Sequence, residues 1–370
     1  MFGDFNEKLA KLVVKYAVQI EPGDLVTIRG GANAEELIRE IYRETIIAGG
    51  NVVRLDVGLP GFQEIFFKYA SDKQLTYIDP SQMDLVKRLT KAITIYSSFN
   101  TRALTNIDPQ KITKQRAATK KVSEIFFQRA ATGELKWTLC PYPCLSLAQE
   151  AAMGINEYRE FVYKALALDK KDPVKHWQKV EAEQEKIIKI LNKGKEFHIL
   201  GEDTDLTLGI EGRTWINCAG HENLPDGEVF TAPIETAVNG TIRFTFPGIY
   251  MGQEIENIWL KFKDGQVVDF DASKGKNLLE KVLNLENANI LGELAVGTNY
   301  GIQRFTKNML FDEKMGGTVH LALGMGYPES GSKNQSPIHW DILKDMKVKG
   351  SKIFLDGELI YQEGKWKIGK

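Results

Sequence analysis

Apolar and polar residues alternate with different periods in the two parts of the chain. In the first part, β-branched and apolar runs occur at 23–30, 51–58, 92–99 and 135–142. Several segments between these runs repeat their apolar residues every three or four positions. Short apolar runs predict strands, and the three-to-four-residue spacing predicts helices. Strands that alternate with helices are typical of right-handed crossovers in a parallel sheet.

A charged stretch begins at Asp169 and contains Asp172-Pro173. Proline is well tolerated in the first turn of a helix, so this dipeptide predicts a helix start. We place the domain boundary just before the stretch. Residues 1–168 are then an α/β domain with a parallel sheet flanked by helices.

The pattern changes from Glu196 onward, where strand-like runs become short and closely spaced. Turn residues separate these runs, which predicts a mainly antiparallel arrangement with a helix near Gly275–Asn284. Residues 169–370 are therefore expected to form a C-terminal α+β domain. The runs are 196–201, 205–210, 214–219, 228–233, 241–246, 257–262 and 266–271.

Composition excludes several classes of protein. Apolar residues make up 43% and charged residues 26%, and 48 basic against 49 acidic residues give a net charge of −1. These values are typical of folded proteins, and the balance gives no electrostatic basis for binding nucleic acid or anionic lipid. No run approaches the roughly 18 apolar residues of a membrane span, and the first residues lack a signal-peptide core. We expect a cytoplasmic protein.

Two of the five histidines stand out as candidates for chemistry. His320 lies in an otherwise apolar strand-like run, where a buried imidazole needs a partner. His339 precedes Asp341 by two positions, so on a strand both side chains share a face and could reach one metal ion. On a helix they would point about 200° apart.

Two glutamates extend this set. Glu293 is the polar residue of the apolar run 290–297, where a buried carboxylate must pair, accept hydrogen bonds or bind metal. Glu228 opens a strand-like run, and an ordinary strand-edge role explains it equally well. Together with Asp341 these glutamates supply three negative charges, which with one hydroxide would neutralise the charge of two divalent ions. Such mixed donors suit Zn, Co or Mn, and two ions can activate water for hydrolysis. Tyr327 could donate a proton or stabilise an oxyanion.

The cysteines do not form a metal motif. Cys140 and Cys144 lack the Cys-x-x-Cys spacing, and Cys218 stands alone in an apolar run. We interpret all three as structural thiols.

Four motifs in the C-terminal part resemble a known family. They are PDGEVFTAP (225–233), GELAVGTN (292–299), LFDEKMGGTVHLALGMGYP (310–328) and SPIHWD (336–341). In this order they resemble the aminopeptidase T family of metallo-aminopeptidases (M29), which includes thermophilic aminopeptidase T, AmpS and PepS. The opening, with PGDLVTIRG and GGNVVRLDVG, is similar to the N-terminal domain of that family. The resemblance extends along nearly the whole chain.

The resemblance implies a set of functional residues. Tyr327 would correspond to the active-site tyrosine. The ligands of two divalent ions (Zn, Co, Mn or Mg) would be Glu228, Glu293, His320, His339 and Asp341. The resemblance further implies a homodimer that encloses the site and releases N-terminal residues from short peptides with broad preference.

The expected reaction is attack of a metal-bridging water on the first peptide bond. Glu293 or Glu228 would accept the proton of this water, and we favour Glu293 because an apolar strand raises its proton affinity. Two other interpretations remain. The same residues could hydrolyse a non-peptide amide, or the protein could bind a small ligand and hold a structural metal.

Overall fold

The computed structural model describes residues 3–369, which divide into two compact units. Unit 1 contains the residues up to Val174 together with Gly220–Pro225. Unit 2 contains Lys175–Ala219 and the residues from Asp226 onward. The predicted fold class is confirmed, because unit 1 has a parallel sheet with helices and unit 2 has antiparallel sheets.

The sheet of unit 1 has four parallel strands in the order β2-β1-β3-β4. The predicted strands correspond to them with ends shifted by a few residues. Their bounds are β1 Leu25–Gly31, β2 Asn51–Gly58, β3 Lys91–Tyr96 and β4 Lys136–Pro141.

Eight α-helices in the described part of unit 1 lie between or beside these strands. The longest of them lies between β3 and β4, and three short ones occupy residues 62–88 between β2 and β3. The bounds are α1 Phe5–Leu12, α2 Glu35–Ile47, α3 Phe62–Tyr69, α4 Asp72–Leu75, α5 Pro80–Arg88, α6 Pro109–Ala131, α7 Leu145–Glu150 and α8 Ile155–Ala165.

The segment Gly220–Pro225 reaches the edge strand β4 of unit 1 and pairs with it. The N–H of Leu139 donates to the carbonyl of Glu222 at 2.7 Å, and the N–H of Leu224 donates to the carbonyl of Leu139 at 2.9 Å. A short stretch from the C-terminal part of the sequence thereby satisfies backbone groups at this edge.

Unit 2 is built from antiparallel strands in three sheets. The eight-stranded sheet has the order β13-β12-β9-β6-β5-β17-β18-β19, the five-stranded sheet β16-β15-β14-β8-β7, and β10 pairs with β11. The bounds are β5 Glu196–Gly201, β6 Thr204–Gly209, β7 Ile216–Cys218, β8 Glu228–Thr231, β9 Val238–Arg243, β10 Gly248–Tyr250, β11 Gln253–Ile255, β12 Trp259–Lys263, β13 Gln266–Asp271, β14 Leu291–Gly297, β15 Thr318–Gly324, β16 His339–Asp345, β17 Lys352–Leu355, β18 Glu358–Gln362 and β19 Lys365–Trp366.

Three further α-helices, counted within residues 3–369, accompany these sheets. α9 starts at the predicted Asp-Pro site, and α10 lies where a helix near 275–284 was predicted. Their bounds are α9 Pro173–Leu191, α10 Lys276–Leu283 and α11 Met309–Asp312.

One face of the five-stranded sheet belongs to the hydrophobic core of unit 2. Leu294 of β14, Leu321 of β15 and Ile342 of β16 are fully buried there with residues of the eight-stranded sheet such as Leu206. Since side chains alternate along a strand, the residues between them face the opposite side. That opposite face carries the candidate functional residues. No helix within residues 3–369 is long and apolar enough to cross a membrane.

We expect replacement of Gly240 by alanine to destabilise unit 2 strongly. Gly240 lies on β9 with φ +116°, and an added Cβ would lie 2.1 Å from the carbonyl oxygen of Asp205. Backbone strain and the clash together should lower the free energy of unfolding by about 2–4 kcal/mol. Denaturant unfolding would measure this change.

The matched control is Gly212→Ala. Gly212 also has a positive φ of +72°, but no atom lies within 4 Å of an added Cβ. Its expected loss is only about 1 kcal/mol. Equal losses in the two variants would contradict the assignment of a close contact at Gly240.

Candidate metal centre

Five acidic and imidazole side chains lie on the polar face of the five-stranded sheet. Each was singled out from the sequence, and the structure brings all of them together. Four strands contribute them: Glu228 from β8, Glu293 from β14, His320 from β15, and His339 and Asp341 from β16.

The strand register explains how residues so distant in sequence meet. Ala322 of β15 lies opposite both Glu293 and Asp341, and Gly324 lies opposite His339. Residues directly opposite each other in a sheet share a face. The small side chains between the acids leave space above the sheet for the longer ones.

The same register places the remaining two residues. His320 lies opposite Ala295 of β14, and Glu228 lies opposite Gly297 at the end of that strand. All residues of β14 and β15 are buried, so the polar face is shielded from solvent as well as the apolar one.

The five side chains form two groups that share Glu293. Its Oε1 lies 3.1 Å from Nε2 of His320, and its Oε2 lies 3.7 Å from Nε2 of His339. Oε2 of Glu228 completes the first group, 3.3 Å from His320, and Oδ1 of Asp341 completes the second, 3.5 Å from His339. Each group therefore offers one imidazole nitrogen and two carboxylates.

Hydrogen bonding fixes the orientation of one imidazole. Nδ1 of His339 lies 2.7 Å from the carbonyl oxygen of Met325, and a carbonyl only accepts, so Nδ1 donates. Nε2 of His339 thus faces the carboxylates, as it would in a metal ligand whose other nitrogen is held by the backbone. His320 is fully buried, and its Nε2 likewise points at the acids.

Burial and charge shift the pKa values of these groups in a consistent way. Burial alone would lower the pKa of His320, but its bond to Glu293 and the nearby acids raise it to about 9. The same competition raises the pKa of His339 to about 10, mainly through Asp341. Burial raises the pKa of Glu293.

The chemistry of the donors fits divalent cations. Oε2 of Glu228 and Oδ1 of Asp341 are buried, and neither accepts a hydrogen bond from any residue within 3–369. A buried carboxylate oxygen that accepts no hydrogen bond is costly, and a cation would reduce that cost. Imidazole and carboxylate donors together suit Zn, Co or Mn.

Tyr327 lies beside the second group, just after β15. Its ring centroid is 5.0 Å from that of His339 and 5.7 Å from that of Phe230, and 38% of the residue is exposed. Burial, reinforced by the charges of Glu293 and Asp341, raises the pKa of its phenol. The hydroxyl therefore stays protonated and can donate a hydrogen bond.

The structure adds charged residues that the sequence did not single out. Nζ of Lys314 lies 2.5 Å from Oε1 of Glu228, 2.9 Å from Oε1 of Glu313 and 3.4 Å from Oδ1 of Asp226. Burial raises the pKa of Glu313 to about 8. The acids outweigh burial and raise the pKa of Lys314 well above its usual value, so this lysine is a cation. The charged sequence Asp-Glu-Lys just before an apolar strand was the feature of the sequence that could have indicated these residues.

A second unpredicted residue holds the backbone of a candidate ligand. Gln184 of α9 is buried, and its Nε2 donates to the carbonyl of Glu228 at 2.8 Å and to Oδ1 of Asn217 at 2.6 Å. Its Oε1 accepts from the hydroxyl of Thr298, the residue after β14, at 2.9 Å. One amide thereby joins α9, β7, β8 and the end of β14. An internal polar residue on a helix gave no specific signal.

The histidines His198 and His221 and two of the three cysteines lie apart from this cluster. His198 pairs with Asp205 at 2.7 Å, and His221 stacks on Tyr16 in unit 1. Cys140 and Cys144 are buried free thiols of unit 1. Cys218 is also a free thiol, but its sulfur lies near Asp226 and Glu228 rather than in the core alone.

Comparison with known proteins supports a metal-dependent role. A profile of the M29 family, described as thermophilic metalloproteases, matches residues 4–366. The chain is 28% identical over 416 residues to aminopeptidase AmpS of Bacillus subtilis (strain 168), covering 98% of this chain and 99% of that protein.

Solved structures share the fold. Wild-type AmpT from Thermus thermophilus has a TM-score of 0.82 at 22% identity, with 100% of both chains covered. A 2,5-dihydroxypyridine dioxygenase from Pseudomonas putida KT2440 has a TM-score of 0.58 at 11% identity, covering 98% of this chain and 96% of that one. Proteins of different chemistry share this fold, so the reaction has to be argued from the site.

We expect Gln184→Leu to weaken binding of a divalent ion. The variant removes the donor that holds the carbonyl of Glu228 but leaves every candidate ligand in place. Loss of a residue that orients a ligand typically costs 10–100-fold in metal affinity. Competition with a chromophoric chelator for Co²⁺ or Zn²⁺ would measure the change.

Thr231→Val provides the control, on the strand β8 that also carries Glu228. The hydroxyl of Thr231 is buried and donates to the carbonyl of Thr214 at 2.9 Å, away from the candidate ligands. This variant should lose stability while keeping its metal affinity. An equal drop in metal affinity in both variants would show that Gln184 acts only through general stability.

Proposed function

The chain belongs to the M29 family of thermophilic metalloproteases and is thus a metal-dependent peptidase, and we propose that it is an aminopeptidase acting through two divalent ions. The observation that carries the two-ion proposal is the position of Glu293. Its two oxygens face two different imidazoles, each accompanied by a further carboxylate. A carboxylate between two such groups is suited to bridge a pair of ions.

The proposed ligands divide between the two groups. Glu228, Glu293 and His320 would hold one ion, and Glu293, His339 and Asp341 the other. Two ions in these places would supply an activated water and polarise the scissile carbonyl. The donor set supports Zn, Co or Mn, and Mg is included because carboxylates also bind it.

Glu293 is proposed to accept the proton of the attacking water, for which one of its two oxygens would have to be released from its ion. In the metal-free protein burial raises the pKa of Glu293, which favours uptake of a proton. Glu228 is less suited to this role, because its Oε1 is already paired with Lys314 at 2.5 Å.

Tyr327 is proposed to stabilise the tetrahedral oxyanion. Its ring lies beside that of His339, and the residue is partly exposed, so a peptide could reach it. A hydrogen-bond donor placed at a developing negative charge lowers the barrier without moving during the reaction.

The substrate assignment rests on relatives rather than on the site alone. The related protein from Bacillus subtilis is named an aminopeptidase, and the match covers nearly its full length. We extend to this chain the release of N-terminal residues from short peptides with broad preference. A homodimer and a cytoplasmic location are part of the same proposal and are supported by the family resemblance.

Reconstitution of metal-free protein tests the proposal directly. We expect chelator-stripped protein to release no p-nitroaniline from leucine p-nitroanilide, and activity to return with Zn, Co, Mn or Mg. Full metal occupancy without turnover of any peptide would favour a binding protein with a structural metal. If a substrate panel shows turnover of non-peptide amides alone, the protein is instead a metallohydrolase of that class.

Tyr327→Phe tests the proposed oxyanion donor. Removing one such donor should lower kcat about 100- to 1,000-fold while metal content stays unchanged. Steady-state kinetics and elemental analysis would measure both quantities. Tyr300→Phe is the control, since its hydroxyl donates to the carbonyl of Gly364 at 2.7 Å, apart from the candidate ligands, and should be active. Loss of metal from Tyr327→Phe would exclude the oxyanion role.

A further inference from the structure

A buried ammonium lies against one of the two proposed ion sites. The side chain of Lys314 is 3% exposed, and the nearest of its three carboxylate partners is Glu228. Its backbone is also held, because the carbonyl of Lys314 accepts from the N–H of Asn299 at 3.0 Å. The positive charge is thus fixed in place beside a candidate metal ligand.

The two oxygens of Glu228 have different partners. Oε1 is paired with Lys314 at 2.5 Å, which leaves Oε2, 3.3 Å from Nε2 of His320, as the oxygen that faces the first group. Glu228 can therefore offer a single oxygen to an ion there. Its donor strength is reduced as well, because a charge-assisted hydrogen bond withdraws negative charge from the carboxylate.

The second group has no such neighbour. Within residues 3–369, no lysine or arginine nitrogen lies within 4.0 Å of a carboxylate oxygen of Glu293 or Asp341. The partner of Asp341 is His339, which would itself be a ligand. The two groups thus have the same kinds of donors but different electrostatic surroundings.

We propose that Lys314 makes the two ion sites unequal, so that the site of Glu228, Glu293 and His320 binds its ion more weakly than the site of Glu293, His339 and Asp341. The ammonium occupies one oxygen of a ligand of the first site and withdraws negative charge from that carboxylate, and no lysine or arginine nitrogen within residues 3–369 lies close enough to do so at the second. This inference rests on the proposed two-ion function. An ammonium has no lone pair to coordinate a cation, so Lys314 is a positioning residue that acts through Glu228.

Stepwise removal of metal tests the inequality without reference to activity. Protein loaded with Co²⁺ or Zn²⁺ should lose one equivalent to a chromophoric chelator at a concentration about tenfold or more below that required for the second. His320→Ala should retain only a tightly held equivalent, and Asp341→Ala only a weakly held one. Two equal steps in the unchanged protein, or the reverse assignment, would overturn the proposal.

Lys314→Met tests the cause of the inequality. Removing the positive charge should raise the affinity for the weakly held ion about tenfold or more and change the affinity for the tightly held ion less. Lys344→Met is the matched control, since Lys344 is another buried lysine of unit 2, and its Nζ donates to the carbonyls of Arg243 and Glu202 at 3.0 and 3.2 Å. It should leave both steps unchanged. If Lys314→Met folds but holds its weakly bound ion with unchanged or lower affinity, this role of Lys314 is excluded.

A second variant keeps the test independent of the folding of Lys314→Met. Asp226→Asn removes a negative charge 3.4 Å from the ammonium, so the uncompensated charge of Lys314 should weaken the weak step further. A stronger or unchanged step would count against the proposal. Absence of any bound ion in the unchanged protein would refute the proposed metal function itself, whereas two equal steps would refute only the role of Lys314.

Discussion

The register of β8, β14, β15 and β16 is the constraint on which the centre depends. The alignment that sends Leu294, Leu321 and Ile342 into the core also sends Glu293 and Asp341 to the opposite face. Because side chains alternate strictly, a slip of one residue would exchange the two faces and bring carboxylates into the core. Burial of the apolar face therefore holds together acids that would otherwise repel one another.

The repulsion among these acids is balanced by protons and by one fixed cation. His320 and His339 have raised pKa values because the neighbouring acids favour their charged forms. Lys314 supplies a positive charge at the side of Glu228. A divalent ion that binds to the imidazoles therefore enters in exchange for protons, and its affinity is linked to their release.

Strand alternation made much of this site predictable from sequence. His320 and Glu293 each interrupt an apolar strand, and the i, i+2 spacing of His339 and Asp341 places both on one face of β16. Which strands would be neighbours does not follow from these local patterns, so the assembly of the ligand set depended on family resemblance. Lys314 and Gln184 were missed for a related reason. Their importance comes from contacts with Glu228 across long sequence separations, and a single charged or amide residue carries no periodic signal.

The pairing of Gly220–Pro225 with β4 has a consequence for how such a protein can be divided or recombined. The chain leaves unit 2 after β7, contributes six residues to unit 1, and returns just before Glu228. A gene fragment that ends at the junction before α9 would lack the segment bonded to the edge of β4. The two units therefore cannot be exchanged between relatives simply by cutting the chain before α9. An exchange has to keep Gly220–Pro225 together with β4.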